Sequence, residues 1–287
     1  MELCDINQIK SLLGRHGFRF SKSMGQNFLT EAWVPMEIAA QAGLDKNTCV
    51  LEVGPGIGCL TVQLSEYAGK VVAVELDSAL APVLSETLSD CGNTELIFGD
   101  VLKLDLPKLI AEQAEGMRAV VCANLPYNIT SPLISAFIDA GCFESMTIMV
   151  QREVARRICA KAGTSDYGAF SLYANWHTQP EILFDVSPDC FVPQPKVWSS
   201  VIRLNVRKEP PARVADEKLF FRVIKASFEQ RRKTLLNGLS SGFSEHTKEE
   251  LLSLITGCGF DERVRGETLD IDGFARLANA IYKLKNG

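Results

Sequence analysis

Residues 50–61 read Val-Leu-Glu-Val-Gly-Pro-Gly-Ile-Gly-Cys-Leu-Thr, and their reading decides the fold. Cys49 to Val53 is a short apolar run, β-branched at two positions, as a central parallel strand requires. Gly54, Gly56 and Gly58 let the backbone turn sharply and approach a ligand without intervening Cβ atoms. Leu60, Val62, Leu64 and Tyr67 then follow at a spacing that fits a helix packed on a sheet. Strand, glycine turn and helix together open a nucleotide-binding βαβ unit.

Outward from this unit, strands and helices alternate. Lys70–Leu76, Glu95–Phe98, Ala119–Ala123 and Ser145–Val150 read as further strands. Glu31–Ala42, Ser78–Leu88, Ser131–Ala140 and Arg152–Ala160 read as helices, with Thr30 the expected cap of the first. Ile182–Val186 and Val197–Val206 are two more β candidates, suited to an antiparallel edge and joined by the proline-rich loop Pro188–Pro195. This alternation predicts an α/β fold with a doubly wound, mostly parallel sheet. Past Arg207-Lys208-Glu209-Pro210-Pro211 the pattern is helical only: Asp216–Phe228, Arg231–Leu239, Lys248–Thr256 and Asp272–Leu284. A boundary is expected there, giving a catalytic domain over 1–207 and a small all-helical domain over 208–287.

Bulk properties narrow the function class. The 287 residues are 46% hydrophobic and 23% charged, as in an ordinary globular protein. No apolar run approaches a membrane span and Met1–Lys10 is not a signal peptide, so a cytoplasmic protein without membrane association is expected. No two of the nine cysteines have CxxC spacing, so they read as reduced small hydrophobes and no metal is expected. A net charge of −5 gives no global sign of nucleic-acid binding, which leaves any such role to local basic patches.

The ligand follows from spacing. A dinucleotide fingerprint needs glycine at position 59, which is Cys59; the order here is G-x-G-x-G. No Gly-Lys-Ser/Thr follows, which excludes a P-loop. Glu75 falls at the end of the second strand, about 20 residues after Gly54, where a carboxylate grips both ribose hydroxyls. Asp100 ends the third strand, where it can accept from an adenine amino group. Singly, each acid also suits a helix cap or a turn. Together on one sheet edge they point to an adenosine group without phosphates, which S-adenosylmethionine fits.

The fourth strand ends in Asn124-Leu125-Pro126-Tyr127. Asn and Pro are common in strand-to-helix turns, but the tetrapeptide also suits one reaction. The exocyclic amine of adenine is a poor nucleophile because its lone pair is delocalised into the ring. The Asn124 amide oxygen and the Leu125 carbonyl can each accept one N6–H bond, drawing the nitrogen toward tetrahedral character for in-line attack on a methyl group. Pro126 fixes the backbone, and Tyr127 offers a face to an extruded base.

On these motifs the chain resembles the KsgA/RsmA family of small-subunit ribosomal RNA adenine dimethyltransferases. The resemblance is carried by KSMGQNFL at 22–29, LEVGPGIGCLT at 51–61, VVAVELD at 71–77, GDVLKLDL at 99–106 and NLPYNITSP at 124–132. It continues through VQREVARRICAKAGTSDYGAFS at 150–171, FVPQPKVWSSVIRL at 191–204, FEQRRKTLLNGL at 228–239 and ETLDIDGFARLANAI at 267–281. It implies a Rossmann-like class I S-adenosylmethionine-dependent methyltransferase sheet. It further implies that Asn27 and Leu29 cover the methionine end of the cofactor, that Gly54 lines the sulfonium side, and that Glu75 holds the ribose and Asp100 the adenine. Asn124 serves both cofactor and target amine, and Phe191 is a second base-stacking aromatic opposite Tyr127. The implied reaction is dimethylation of two adjacent adenosines in the 3′-terminal hairpin of 16S rRNA, on a small ribosomal subunit in assembly, by a monomer that does not act on DNA.

Lys218, Arg222, Lys225, Arg231, Arg232 and Lys233 gather against one acid, Glu229. Arg231, Arg232 and Lys233, beside Phe228, are the expected phosphate contacts. A second group, Arg152, Arg156, Arg157 and Lys161, suits a solvated helix face equally well. The alternatives are a 23S rRNA methyltransferase, which shares the NLPY-type motif; a non-catalytic assembly or transcription factor, which the intact motif disfavours; and a nicotinamide oxidoreductase, which Cys59 disfavours.

Overall fold

The strand that opens the glycine turn is an interior strand of the molecule's main sheet. Thr48–Val53 (β2) is buried at every position, and Lys70–Glu75 (β3), Arg118–Asn124 (β5) and Ser145–Gln151 (β6) are buried along their interiors. Strands covered on both faces carry continuous apolar runs with no alternation. The structure, a computed structural model, describes residues 2–18, 26–230 and 233–286.

Seven strands are ordered β4-β3-β2-β5-β6-β9-β7, with Thr94–Phe98 as β4, Thr178–Val186 as β7 and Ser199–Val206 as β9. The pairs β2–β3, β3–β4, β2–β5 and β5–β6 are parallel, whereas β9 is antiparallel to β6. Strand order reverses between β2 and β5, and a ligand crevice belongs at the carboxyl ends of strands at such a switch point. A separate two-stranded ladder joins Phe28–Leu29 (β1) to Phe191–Val192 (β8), pairing Leu29 with Phe191.

The helices Ile6–Arg15 (α1), Trp33–Gln41 (α2), Cys59–Tyr67 (α3), Ala81–Thr87 (α4), Leu106–Ala114 (α5), Thr130–Ala140 (α6) and Arg152–Ile158 (α7) complete this part. Two boundaries depart from expectation. Thr30 does not cap α2; its N–H donates to the Cys190 carbonyl at 2.8 Å, so the helix starts later, at Trp33. The helix expected over 78–88 is a short 3-10 turn capped by Asp77 and then α4, which has Pro82 in its first turn.

The chain forms two compact units: residues 1–155 with 181–206, and residues 156–180 with 207–287. A single cut at 207 therefore misses that residues 156–180 belong with the helices. These residues carry Ala169–His177 (α8), whose Trp176 and Leu172 are fully buried in the second unit's core. The other helices are Glu217–Glu229 (α9), Leu235–Gly242 (α10), Lys248–Gly257 (α11) and Ile271–Asn286 (α12). Trp176 packs on Phe220 with ring centroids 4.3 Å apart, in a core completed by Phe243 and Phe274. A Cβ at Gly238 would lie 2.6 Å from the Ala226 carbonyl oxygen, so α10 packs against α9 backbone to backbone. No helix among the described residues is long and apolar enough to cross a membrane.

Candidate active site

A cavity of about 300 Å³ opens at the switch point, within the first unit. Its floor is the glycine turn. Gly54, Gly56 and Gly58 have φ of +69°, +62° and +92°, the left-handed region in which only glycine is unstrained. The Gly54 N–H donates to the Val74 carbonyl at 2.9 Å, tying the turn to β3, and Gly58 starts α3. A Cβ at Gly58 would come within 2.9 Å of the end of the Leu88 side chain, which would have to shift.

Glu75 stands at the end of β3, 6% exposed. Its carboxylate accepts from the Asp77 N–H at 2.8 Å and from the Gly56 N–H at 3.3 Å. Burial raises its pKa, and these two backbone bonds pull against that rise. Of the readings open for this pair of acids, the cap belongs to Asp77, which accepts from Ala79 N–H at 3.1 Å and also from the Gln26 amide at 2.8 Å. Glu75 is therefore left to face the cavity, its position set by the glycine turn. Asp100 is a turn cap, accepting from the Leu102 N–H at 3.1 Å, that also faces the cavity.

Asn27, Leu29, Gly54, Glu75, Asp100, Asn124, Leu125, Pro126 and Tyr127 all line this one cavity. Leu125 is 1% exposed and its N–H donates to Met149 at 3.1 Å, which fixes the tetrapeptide to β6. The Pro126 carbonyl accepts from Ile129 N–H and the Thr130 hydroxyl, so it is committed to the turn into α6. The Tyr127 and Ser199 hydroxyls lie 2.6 Å apart, and burial raises the Tyr127 pKa.

Phe191 is not among the lining residues. It is 4% exposed and packs with Leu29, Val34 and Val186. Arg231 and Arg232 lie outside the described residues. Lys233 is exposed, and its N–H closes a turn on the Gln230 carbonyl at 2.8 Å. The helix expected from 231 begins at Leu235, because Thr234 caps it. Arg222 is engaged within the protein, 2.9 Å from Glu245 and over the Phe243 ring at 4.2 Å, so it is not a free phosphate contact.

Two features escaped the sequence reading. Leu76 and Leu102 are 55% and 41% exposed and line the cavity with Val101, giving apolar walls suited to a planar ring. Each follows within two residues of a strand-end acid, and that adjacency was the available signal. Glu52 is the second feature: it is 1% exposed, lines the cavity, and one carboxyl oxygen has no hydrogen-bond partner. Burial pushes its pKa up to about 8, with the nearby Glu75 charge adding to the rise and Thr61 opposing it. An acid inside an otherwise apolar parallel strand was its sequence signature.

The described lining residues include Glu52, Glu75, Asp77 and Asp100 but no lysine or arginine. Such a cavity repels phosphates and favours a cation. S-adenosylmethionine, a sulfonium with an amino group, a ribose and an adenine, fits this donor set; a dinucleotide does not.

Comparison with known proteins identifies the family. A family model described as Ribosomal RNA adenine dimethylase matches residues 17–282. The chain is 46% identical to the ribosomal RNA small subunit methyltransferase A of Geobacillus thermodenitrificans, over 96% of this chain and 95% of that one. It is 43% identical to the Streptococcus gordonii protein of the same name, over 98% of each. Among solved structures, 23S rRNA methyltransferase ErmE superposes with a TM-score of 0.69 at 26% identity, covering 89% of this chain and 99% of that one. A dimethyladenosine transferase from Plasmodium falciparum gives 0.74 at 24% identity, over 90% and 97%, a likeness of fold.

Proposed function

We propose, for a chain that belongs to the ribosomal RNA adenine dimethylase family, that it methylates two adjacent adenosines in the 3′-terminal hairpin of 16S rRNA, each twice at N6, on an assembling 30S particle. The enzyme is an S-adenosylmethionine-dependent rRNA adenine dimethyltransferase. The observation that carries the N6 chemistry is the placement of Asn124-Leu125-Pro126-Tyr127 along the acidic cavity, and the likeness over nearly the whole chain to relatives named ribosomal RNA small subunit methyltransferase A supports 16S over 23S rRNA.

In this reading Glu75 holds the ribose hydroxyls, Asp100 the adenine amine, and Leu76, Val101 and Leu102 enclose the ring. Gly54, Asn27 and Leu29 border the methionine end. The bound cofactor supplies an electrophilic methyl carbon on a positively charged sulfur. Asn124 accepts one N6–H bond of the target adenine through its side-chain oxygen, and the Leu125 carbonyl accepts the other. The two acceptors hold the amine with its lone pair directed at the methyl group, so the work is orientation and charge stabilisation. Pro126 restricts φ at the turn that presents this carbonyl. Tyr127 stacks on the extruded base, with its hydroxyl anchored by Ser199. The stacking role assigned to Phe191 requires the β1–β8 pair to shift, because its ring is buried.

Lys233 with Arg231 and Arg232 supplies sequence-independent phosphate contacts. A chain of net charge −5 binds naked RNA weakly and depends on a structured ribonucleoprotein surface. We assign it to the cytoplasm, as a monomer without DNA or membrane partners. The test is incubation of undermethylated 30S particles and of 50S particles with labelled S-adenosylmethionine, followed by mapping of modified bases. Dimethyladenosine pairs in 16S rRNA are expected; label confined to 23S rRNA overturns the small-subunit reading.

A further inference from the structure

Between Phe191 and Ser199 the chain runs through Pro193-Gln194-Pro195-Lys196-Val197-Trp198, most of it exposed. Trp198 is 41% exposed and Val197 45%, whereas Ser199 and Ser200 beside them are fully buried. A tryptophan left this open forfeits much of the gain from burial, and an exposed aromatic next to charge commonly marks a recognition surface. Two contacts fix its position. The Arg152 guanidinium lies 5.1 Å from the ring centroid, and the Arg152 N–H donates to the Trp198 carbonyl at 2.9 Å. Arg152 is itself held 3.9 Å from Asp185, whose other oxygen takes the Ser200 hydroxyl at 2.5 Å. The platform is thus built before any ligand arrives.

Its location is on the edge that carries the tetrapeptide. Ser199 pairs with Gln151 at the carboxyl end of β6, and β5, parallel to β6, ends at Asn124, so Trp198 lies on the same carboxyl edge of the sheet as Asn124. The exposed amine of Lys196 lies two residues before Trp198. A flat aromatic surface, a guanidinium at its side and an amine nearby match a nucleic-acid strand with its bases unstacked. Extrusion of an adenine leaves its neighbour without a stacking partner, and an exposed aromatic on the same sheet edge offers one.

We propose that Trp198, braced by Arg152, stacks on an unpaired base next to the methylated adenosine, and that Lys196 neutralises an adjoining phosphate. This rests on the rRNA methyltransferase reading and adds a second, sequence-tolerant contact to it. The test uses the full chain. Trp198→Ala raises KM for undermethylated 30S particles about 10-fold, the scale of one lost base stack. It leaves kcat, cofactor affinity by calorimetry and the unfolding midpoint unchanged, and Trp198→Phe restores most of the loss. In a Trp33→Phe background, which removes the other exposed tryptophan, a single-stranded oligoadenylate quenches tryptophan fluorescence, and Trp198→Phe abolishes the quenching. Lys196→Gln lowers the slope of log affinity against log salt by about one. An unchanged KM in Trp198→Ala together with no quenching overturns the platform. If the wild-type chain modifies no 16S adenosine, the small-subunit reading falls, while the quenching measurement still decides whether Trp198 meets RNA.

Discussion

The carboxyl edge of the sheet and the core of the helical unit bury different kinds of residue. At the sheet edge, Glu52 and Glu75 are buried acids, 1% and 6% exposed, kept by a strand and a glycine turn in a place where burial opposes ionisation. In the helical unit the buried polar groups are hydroxyls such as Ser171 and Ser227, and the rest of the core is aliphatic and aromatic, with Trp176, Phe220, Phe243 and Phe274 its largest fully buried side chains. One region accepts an electrostatic cost to hold a ligand; the other minimises cost to hold its shape. Perturbations should therefore separate them.

The largest effect is expected at the rim of the acidic edge. On the proposed mechanism, Asn124→Ala removes one acceptor for the target amine and should lower kcat about 10²–10³-fold in a single-turnover assay with 30S particles. Particle binding and the unfolding midpoint should be unchanged, and full activity in this variant would sink the orientation mechanism.

Glu52→Gln tests the cost of the buried charge. The folded pKa is raised from 4.5 to about 8, so the folded state holds a proton that the unfolded chain has released. Stability contributed by the neutral acid is therefore present below pH 4.5 and is lost as pH rises toward 8. At about 1.4 kcal/mol per unit of pH, the loss over that span is a few kcal/mol. Urea midpoints measured across the range should fall more steeply for the wild type than for Glu52→Gln, which leaves only the other shifted acids such as Glu75 to titrate; parallel curves would remove the assigned cause.

In the helical unit the weak point is steric. Gly238→Ala places a Cβ 2.6 Å from a backbone carbonyl, which cannot swing aside as a side chain can. Overpacking of about 1–3 kcal/mol should lower the thermal midpoint, while cofactor affinity, a property of the other unit, should hold. The smallest effect is expected on the surface: Lys233→Gln should reduce the salt dependence of particle binding by about one charge and leave catalysis on saturating particles unaltered.

Legibility in the sequence followed the same division. Glycines and acids at strand ends could be located because parallel strands are continuous apolar runs and ligands gather where those runs end. Val50–Val53, Glu75, Asp100 and Asn124 all fall where that rule puts them. Glu52 carried a signal, an acid inside an apolar strand, but its raised pKa and its place in the cavity depend on burial that one strand does not encode. Residues 156–180 were missed as part of the helical unit because Trp176 and Leu172 find their partners on α9, far along the chain. The burial of Phe191 went unseen for the same reason, its ladder partner Leu29 being a long way off in sequence.

That ladder has a thermodynamic meaning. Strands β1 and β8 are two residues each, and they join the segment carrying Asn27 and Leu29 to the one carrying Phe191. On the roles proposed above for these residues, a ligand that moved one strand would do work on the other, and the cofactor and RNA sites would draw on a common free energy. Reciprocity would then require that the factor by which the RNA changes cofactor affinity equal the factor by which the cofactor changes RNA affinity.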